Sequence, residues 1–338
     1  MTLRIALNGY GRIGRSFVRA LAERETAGEA PAVRLVAIND LGEPDDLLYL
    51  TRYDSTHGPF PGPVEVVDGV LRIGNQTPVL LTEPDPLQLP WKELDVDLVL
   101  ECTGSFRAYE GARCHLEAGA GRVLIGAVPF DRADAFPVFG VNHETIAPDQ
   151  RILSAASCTT HAIAPLLAEL DALLEVRHVI MNEVHAYTSD QALLDQAHRD
   201  PRRGRAAAQN IVPTTSSAVG AVQQVLPQFR GRISGGSIRV PTLNVAMVDL
   251  ILDVAEPPTA EALNQQMRRL SDQKPWLIGY NAEPLVSVDF NHRSESVIFD
   301  ATRTLVQGSM VRAGGWYDNE WGFANRLLDL VGWLGERH

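Results

Sequence analysis

The sequence predicts an α/β fold in two parts: a doubly wound parallel sheet over residues 1–157, then an α+β region with a mixed or antiparallel sheet over 158–319. Three observations predict it. The 338 residues are close to twice the ~150-residue prior for a single domain. A strand, a glycine-rich turn, a helix and a second strand follow one another within the first forty residues. Around residue 150 the short βα alternation gives way to longer, alternating strands separated by Gly/Ser/Thr-rich turns.

Leu3–Asn8 is short and largely apolar, hence a strand, and it stops at a glycine-rich turn. Ile13, Phe17, Val18 and Leu21 recur at helical spacing and predict a helix over Arg12–Glu25. Val33–Ile38 then reads as a buried strand and completes a βαβ unit. Asp97–Cys102 (strand), Glu110–Gly119 (helix) and Arg122–Ile125 (strand) continue the alternation. In the second part, 159–174 and 259–271 read as helices, and 177–185, 237–254 and 285–290 as strands. Pro165 should free a carbonyl and kink the first of these helices. Residues 187–212 show no periodicity, and a loop that long in a compact enzyme is usually functional. Phe323, Leu327, Leu330, Val331 and Leu334 form one stripe of a last helix, which should pack on a domain surface.

Composition narrows the partners. Hydrophobic residues at 45% and charged residues at 21% describe a globular chain. A formal charge of −12 repels polyanions, so neither nucleic acid nor an anionic membrane is expected as a partner. Of the 30 basic residues only Lys92 and Lys274 are lysine, so any anion site must use arginine forks and backbone N–H groups. Cys102, Cys114 and Cys158 are an odd number without metal-ligand spacing. No metal and a reducing compartment are expected. With no apolar signal region and no uninterrupted apolar run of ~18 residues, the expected location is the cytoplasm.

Gly9-Tyr10-Gly11-Arg12-Ile13-Gly14 matches G-x-G-x-x-G, and it follows a strand and opens a helix. In that context Gly9 permits the tight turn, Gly11 lets a pyrophosphate approach the backbone, and Gly14 allows close helix–strand contact. This is the Rossmann dinucleotide fingerprint. The helix N-terminus would face the phosphates, and Arg12 could add a charged contact. Asp40, at the end of the second strand, could accept both ribose hydroxyls and would repel a 2′-phosphate, which predicts NAD over NADP.

Cys158 falls in the first turn of a helix, where the dipole should stabilise thiolate and lower the thiol pKa. His185 ends the strand 27 residues later, a placement that suits a Cys/His pair; the bland reading is a small core cysteine and a satisfied polar histidine. Arg202-Arg203-Gly204-Arg205, Thr214-Thr215-Ser216-Ser217 and Arg239 gather anion donors in one half of an acidic protein. A solvated basic loop beside a hydroxyl-rich turn is the plainer reading.

Together these residues carry a resemblance. The chain resembles the phosphorylating glyceraldehyde-3-phosphate dehydrogenase family over nearly its whole length. The carrying segments include Asn8–Arg15, Ala37–Asp40, Glu101–Gly104, Ala156–Thr160, His185–Thr188, Arg239–Thr242, Leu285–Phe290 and Trp316–Gly322. The resemblance implies an NAD-binding Rossmann domain (1–157), a catalytic domain (158–319) and a C-terminal helix (320–338) returning to the first. It implies Cys158 as nucleophile and His185 as base. It implies Thr188 and Arg239 at the substrate's phosphate, with Ser157, Thr159, Arg203, Ser216 and Ser217 around inorganic phosphate. Cofactor contacts would come from Gly9, Gly11, Arg12, Ile13, Gly14, Asp40, Thr103 and Asn319, the last holding the nicotinamide carboxamide. The 187–212 loop resembles a segment bordering the neighbouring subunit's cofactor, which implies a homotetramer.

The implied reaction is oxidative phosphorylation of glyceraldehyde 3-phosphate to 1,3-bisphosphoglycerate through a hemithioacetal and a thioester on Cys158, in glycolysis or gluconeogenesis. Some positions depart from the family pattern. His161 and Ala162 replace the usual Asn-Cys, Ser216-Ser217 the usual Thr-Gly, and Gln196-Ala197 a Leu-Pro pair. His161 is expected to be either a surface substitution or a second base near the thiol. Asp54–Gly58, Asp289–His292 and Trp321–Arg326 resemble the neighbouring erythrose-4-phosphate dehydrogenases, the alternative enzyme reading. The remote alternative is a non-catalytic NAD-binding regulator.

Overall fold

The computed structural model describes residues 2–68 and 70–337. They divide into two compact units. One runs to Ala156 and resumes at Ala324; the other is Ser157–Phe323.

The first unit is built on strands β1 (Leu3–Asn8), β2 (Val33–Asn39), β3 (Val79–Leu81), β4 (Leu98–Glu101), β5 (Arg122–Ile125) and β6 (Ile152–Ser154). They form one parallel sheet in the order β6-β5-β4-β1-β2-β3. Strand order reverses beside β1, and in open α/β sheets ligands bind at the carboxyl ends next to that reversal. β1 is central because both its faces are apolar: Ile5, Ala6 and Leu7 are wholly buried. The connecting helices are α1 (Arg12–Ala27), α2 (Pro44–Arg52) and α3 (Tyr109–Glu117). α1 buries Phe17, Val18 and Leu21, and it stops at Gly28, whose φ of 74° supplies the left-handed cap.

The second unit begins with α4 (Cys158–Leu174). It continues through β7 (Val176–Ala186), β8 (Val212–Thr214), α5 (Ala218–Val225), β9 (Ile233–Val240), β10 (Ala246–Val254) and α6 (Ala260–Gln273). It closes with β11 (Ile278–Asn281), β12 (Val297–Asp300), β13 (Leu305–Gln307) and β14 (Met310–Tyr317). The sheet order is β8-β9-β7-β10-β14-β12-β11, with β13 on β14. It is mixed: β7 pairs parallel with β9 and antiparallel with β10. β10 shows the alternation of a one-sided sheet, burying Val248, Leu250, Leu252 and Val254. The final helix, α7 (Trp321–Glu336), starts in the second unit and belongs to the first from Ala324. There Leu327, Leu330, Val331 and Leu334 are buried, and Asp329 accepts from Arg24 at 2.5 Å.

Two sequence expectations need correction. The strand expected over 237–254 is two strands, because Pro241 offers no N–H to a ladder and Val245 turns through a positive φ of 69°. The strand expected over 285–290 is a 3₁₀ turn, Ser287–Phe290, pinned by the Asp289 carboxylate accepting from Val286 N. Its apolar residues do not alternate into a core, for Val286 and Val288 are both exposed. α4 runs from Cys158 to Leu174 with Pro165 inside it.

Candidate active site

The carboxyl ends of three adjacent strands carry polar residues: Asn8 on β1 is in register with Asn39 on β2 and with Glu101 on β4. A cleft of about 380 Å³ opens there, lined by Gly9, Gly11, Asp40, Glu83, Thr103 and Phe106 among others. Gly9 has φ +93°, and a Cβ on it would lie 2.5 Å from Thr103 N. Gly11 is the N-cap of α1 and its missing Cβ would meet nothing within 4 Å, while one on Gly14 would lie 2.5 Å from Gly9 O. The turn is therefore closed on the sheet side and open on the cleft side. No acidic side chain stands in the first turn of α1 to compete with an anion.

Asp40 lines this cleft and already accepts from Tyr10 N (2.6 Å) and Gly42 N (2.9 Å). Each carboxylate oxygen keeps a further lone pair for a ribose hydroxyl. Arg12 is spent otherwise than expected. Its guanidinium grips Asp54 through two N–H groups, at 2.5 and 3.2 Å. Burial raises the Asp54 carboxyl, but Arg12 and the His57 and Thr56 N–H groups outweigh it and hold the group far below the usual carboxylate range. The anion cradle is thus backbone.

Beneath the cleft lies a buried relay of polar side chains. Trp91 Nε1–H donates to His115 Nδ1 (3.0 Å), so the ring proton sits on Nε2, 3.2 Å from Glu101 Oε2. Asn8 Nδ2 donates to the same oxygen at 2.6 Å, and Thr103 N donates to Oε1 at 2.7 Å. This relay holds Thr103 at the rim.

In the second unit, Ser157 caps α4 by accepting from Thr160 N at 3.0 Å, which sets Cys158 in the first turn. β7 delivers Glu183 and His185 to one face, two residues apart. His185 and Arg239 are register partners on β7 and β9. Cys158 Sγ lies 3.6 Å from His185 Nε2. His185 Nδ1 lies 2.6 Å from the Ala186 carbonyl, an acceptor, and 3.0 Å from Arg239 Nη1, a donor; with the ring proton directed along the shorter contact, Nε2 turns a lone pair to the thiol.

Electrostatics reverse one expectation. The Cys158 thiol is pushed up to about 12, by burial first and the Glu183 carboxylate second, against the lowering influence of Thr159 and Arg239. Burial and Arg239 lower His185 to about 4. Both shifts favour the neutral thiol and neutral imidazole over the ion pair.

The remaining predicted residues do not form one cluster. Arg239 Nη1 reaches Ala186 O (3.3 Å), and its buried Nε has no partner. Thr159 Oγ1–H donates to Glu183 Oε1 (3.0 Å) and Ser216 Oγ–H to Glu183 Oε2 (2.6 Å). Arg203 is held by Asp190 (3.0 Å), Asp200 (3.4 Å) and Thr215 O (3.2 Å). Ser217 is the N-cap of α5 without a side-chain bond. The Asn319 side-chain oxygen is buried and unbonded, a free acceptor suited to a carboxamide N–H₂. His161 is not a surface residue: it is buried on α4, edge-on to Phe323 with ring centroids 5.3 Å apart. Glu183 was missed from sequence; its signal was the Glu-x-His spacing, which puts both side chains on one face of a strand.

Comparison with known proteins decides the family. Residues 157–319 match the family model for the glyceraldehyde 3-phosphate dehydrogenase C-terminal domain, and 3–109 the model for its NAD binding domain. The chain belongs to the glyceraldehyde-3-phosphate dehydrogenase family. It is 47% identical over 329 residues to the glyceraldehyde-3-phosphate dehydrogenase of Pseudomonas aeruginosa, covering 97% of each chain. Identity is 45% over 332 residues, 98% of each chain, to the plasmid-borne glyceraldehyde-3-phosphate dehydrogenase of Cupriavidus necator. It is 46% over 336 residues, 99% of each, to that of Kitasatospora aureofaciens. Family membership makes the chain an NAD-dependent glyceraldehyde-3-phosphate dehydrogenase, an oxidoreductase with NAD as its cofactor. The open backbone at Gly11 and the spare lone pairs of Asp40 fit that cofactor. Among the described residues no helix is long and apolar enough to cross a membrane, and no cluster of side chains could hold a metal.

Proposed function

We propose that Cys158 is the nucleophile and His185 the base, and that the enzyme works through a thioester discharged by inorganic phosphate. The 3.6 Å approach of Sγ to a lone-pair Nε2 carries this reading. As Cys158 adds to the aldehyde, its proton passes to His185 Nε2, and the hemithioacetal oxygen is stabilised by the resulting imidazolium and the Cys158 N–H. NAD, held by the Gly9–Gly14 turn, Asp40, Thr103 and Asn319, supplies the hydride acceptor. The imidazolium first returns its proton to the hemithioacetal oxygen, and His185, neutral again, takes that hydroxyl proton back as the C–H bond is broken, leaving the thioester on Cys158. Arg239, with its orphaned Nε, and Thr188 hold the substrate's phosphate; Ser157, Thr159, Arg203, Ser216 and Ser217 surround the entering one.

The domains in this reading are 1–157 with the returning helix 320–338 for NAD, and 158–319 for catalysis. The chain works as a homotetramer in the cytoplasm, in glycolysis or gluconeogenesis. Exposed Leu193, Leu194 and Ile211 in the 187–212 segment support contacts between copies. The decisive experiment is steady-state kinetics of NADH formation with glyceraldehyde 3-phosphate and erythrose 4-phosphate, wild type against Cys158→Ser and His185→Asn. The expected result is preference for the three-carbon substrate, no turnover in the first variant and a large loss of kcat in the second. Unchanged kcat in either variant would reject these roles; light scattering at a monomer mass would reject the tetramer.

A further inference from the structure

Thr159 and Ser216 are two of the hydroxyls that the phosphate reading needs as donors, and both already serve another anion. The Thr159 proton goes to Glu183 Oε1 at 3.0 Å and the Ser216 proton to Oε2 at 2.6 Å. A hydroxyl has one proton to give. Tyr317 OH, 2.9 Å from Thr159 Oγ1, is a buried phenol kept protonated by burial and by Glu183, and it fills Thr159's acceptor side. Glu183 is buried at the end of this chain, with Nη2 of Arg239 at 3.9 Å and Nε2 of His185 at 3.7 Å. A carboxylate therefore occupies the donors an entering phosphate would use, and adds a like charge beside it.

The same carboxylate is well placed for other work. Thr159 Oγ1 is 3.9 Å from Cys158 Sγ, so Glu183 stands one hydroxyl away from the sulfur that carries the acyl group. Glu183 Oε1 is also 3.7 Å from His185 Nε2, which itself lies 3.6 Å from that sulfur. We propose that Glu183 gives this enzyme a second, phosphate-independent activity, the oxidation of its aldehyde to the free acid, by acting as general base for water at the Cys158 thioester. The proposal rests on the thioester reading of Cys158.

The step balances with water alone. Glu183 takes one proton as the water oxygen bonds to the carbonyl carbon. The tetrahedral adduct expels sulfur, the C–S electron pair returning to Cys158, and the proton held on Glu183 passes to the departing thiolate. Product and thiol leave the site as it began. The aldehyde's two electrons have already gone to NAD in the established oxidation. Phosphate and water thus compete for one thioester, and Glu183 sets the ratio by obstructing the first and activating the second.

The test compares wild type with Glu183→Gln, which keeps the shape and one of the two acceptor oxygens but removes both charge and basicity, using glyceraldehyde 3-phosphate in phosphate-free buffer made with H₂¹⁸O. Wild type is expected to form many NADH per subunit, with one ¹⁸O from solvent in the product carboxylate. The variant is expected to stop near one NADH per subunit, and on adding phosphate to turn over with a KM for phosphate about tenfold below wild type. That retained burst also shows the variant folded. A wild type that stops after one NADH overturns the proposal without needing the variant, and so does a variant that turns over without phosphate as fast as wild type. Failure of the wild type to make NADH even with phosphate would instead strike the thioester reading on which this rests.

Discussion

The two glycines of the first turn should fail in opposite ways when given a methyl group. At Gly9, alanine must adopt φ +93° and place its Cβ 2.5 Å from Thr103 N and 2.7 Å from Cys102 C, both backbone atoms of the neighbouring strand end. A left-handed residue costs roughly 1–2 kcal/mol, and overpacking against atoms that cannot rotate away adds about 1–3 kcal/mol. A total near ~3 kcal/mol lowers the melting temperature of a unit this size by roughly 6–12 °C. At Gly11, alanine adopts the existing φ of −76° and meets nothing within 4 Å. Its cost to folding is that of a poorer N-cap, at most about 1 kcal/mol. Its methyl instead projects into the open side of the turn, where the pyrophosphate needs the backbone, and NAD affinity should fall at least about tenfold, or 1.4 kcal/mol. Circular dichroism melts of the apo proteins and fluorescence titrations with NAD separate the two effects. Gly11→Ala binding NAD as tightly as wild type, or Gly9→Ala melting within about 2 °C of it, would refute the assignment of one glycine to the sheet and the other to the ligand.

Asp54→Asn should cost about 2 kcal/mol at neutral pH by removing a charged acceptor from Arg12 and two backbone N–H groups. Because the folded carboxyl titrates below its unfolded value, that stabilisation is complete above about pH 4 and is lost as pH falls through the folded value; urea melts at pH 7 and pH 3 should show the gap narrowing. Alkylation of Cys158 by iodoacetamide should still be rising with pH at pH 9, since the thiol titrates near 12; mass spectrometry of the labelled peptide showing a plateau between pH 6 and 8 would reveal a preformed thiolate–imidazolium pair instead. Arg239→Lys keeps the charge but not the fork, so KM for glyceraldehyde 3-phosphate should rise roughly ten- to a hundredfold. Unphosphorylated glyceraldehyde should hardly notice the change, and an equal rise for both substrates would remove Arg239 from the phosphate site.

What could be read in advance was whatever local spacing determines. The β1-turn-α1-β2 unit follows from apolar periodicity and three glycines, and its structure agrees within two residues at each boundary. Cys158 at a helix start and His185 at a strand end were equally legible, because Ser157 is an N-cap residue and the apolar pattern ends at Val184. The pieces that escaped depend on pairing between distant segments. β12 and β14 are strands because they extend a sheet already nucleated by β7 and β10, and nothing in Val297–Asp300 alone distinguishes it from a loop. The relay from Trp91 through His115 to Glu101 joins residues 24 and 14 apart in sequence, and the parallel register of β1 beside β4 adds Asn8 to it. Glu183 gains its place only once the register sets Arg239 beside His185 and the Thr159 hydroxyl reaches its carboxylate.

The Cys158 thiol shows why sign, and not only magnitude, can escape a sequence reading. A helix N-terminus favours an anion by about 0.3–1 kcal/mol at an exposed position, so its position in α4 argues for a low thiol pKa. Desolvation of the half-buried sulfur acts on the same group in the opposite direction and outweighs it, and Glu183, brought from β7, adds a negative charge that no local window contains. Helix α4 therefore fixes where the sulfur stands and which way it points, while its resting protonation is decided by the sheet behind it. The two roles separate cleanly in chemistry as well. A nucleophile held as thiol until an aldehyde arrives is protected from oxidation and from stray alkylation, at the expense of requiring a base within reach, and His185, neutral and aimed through Nε2, is the base that this arrangement demands.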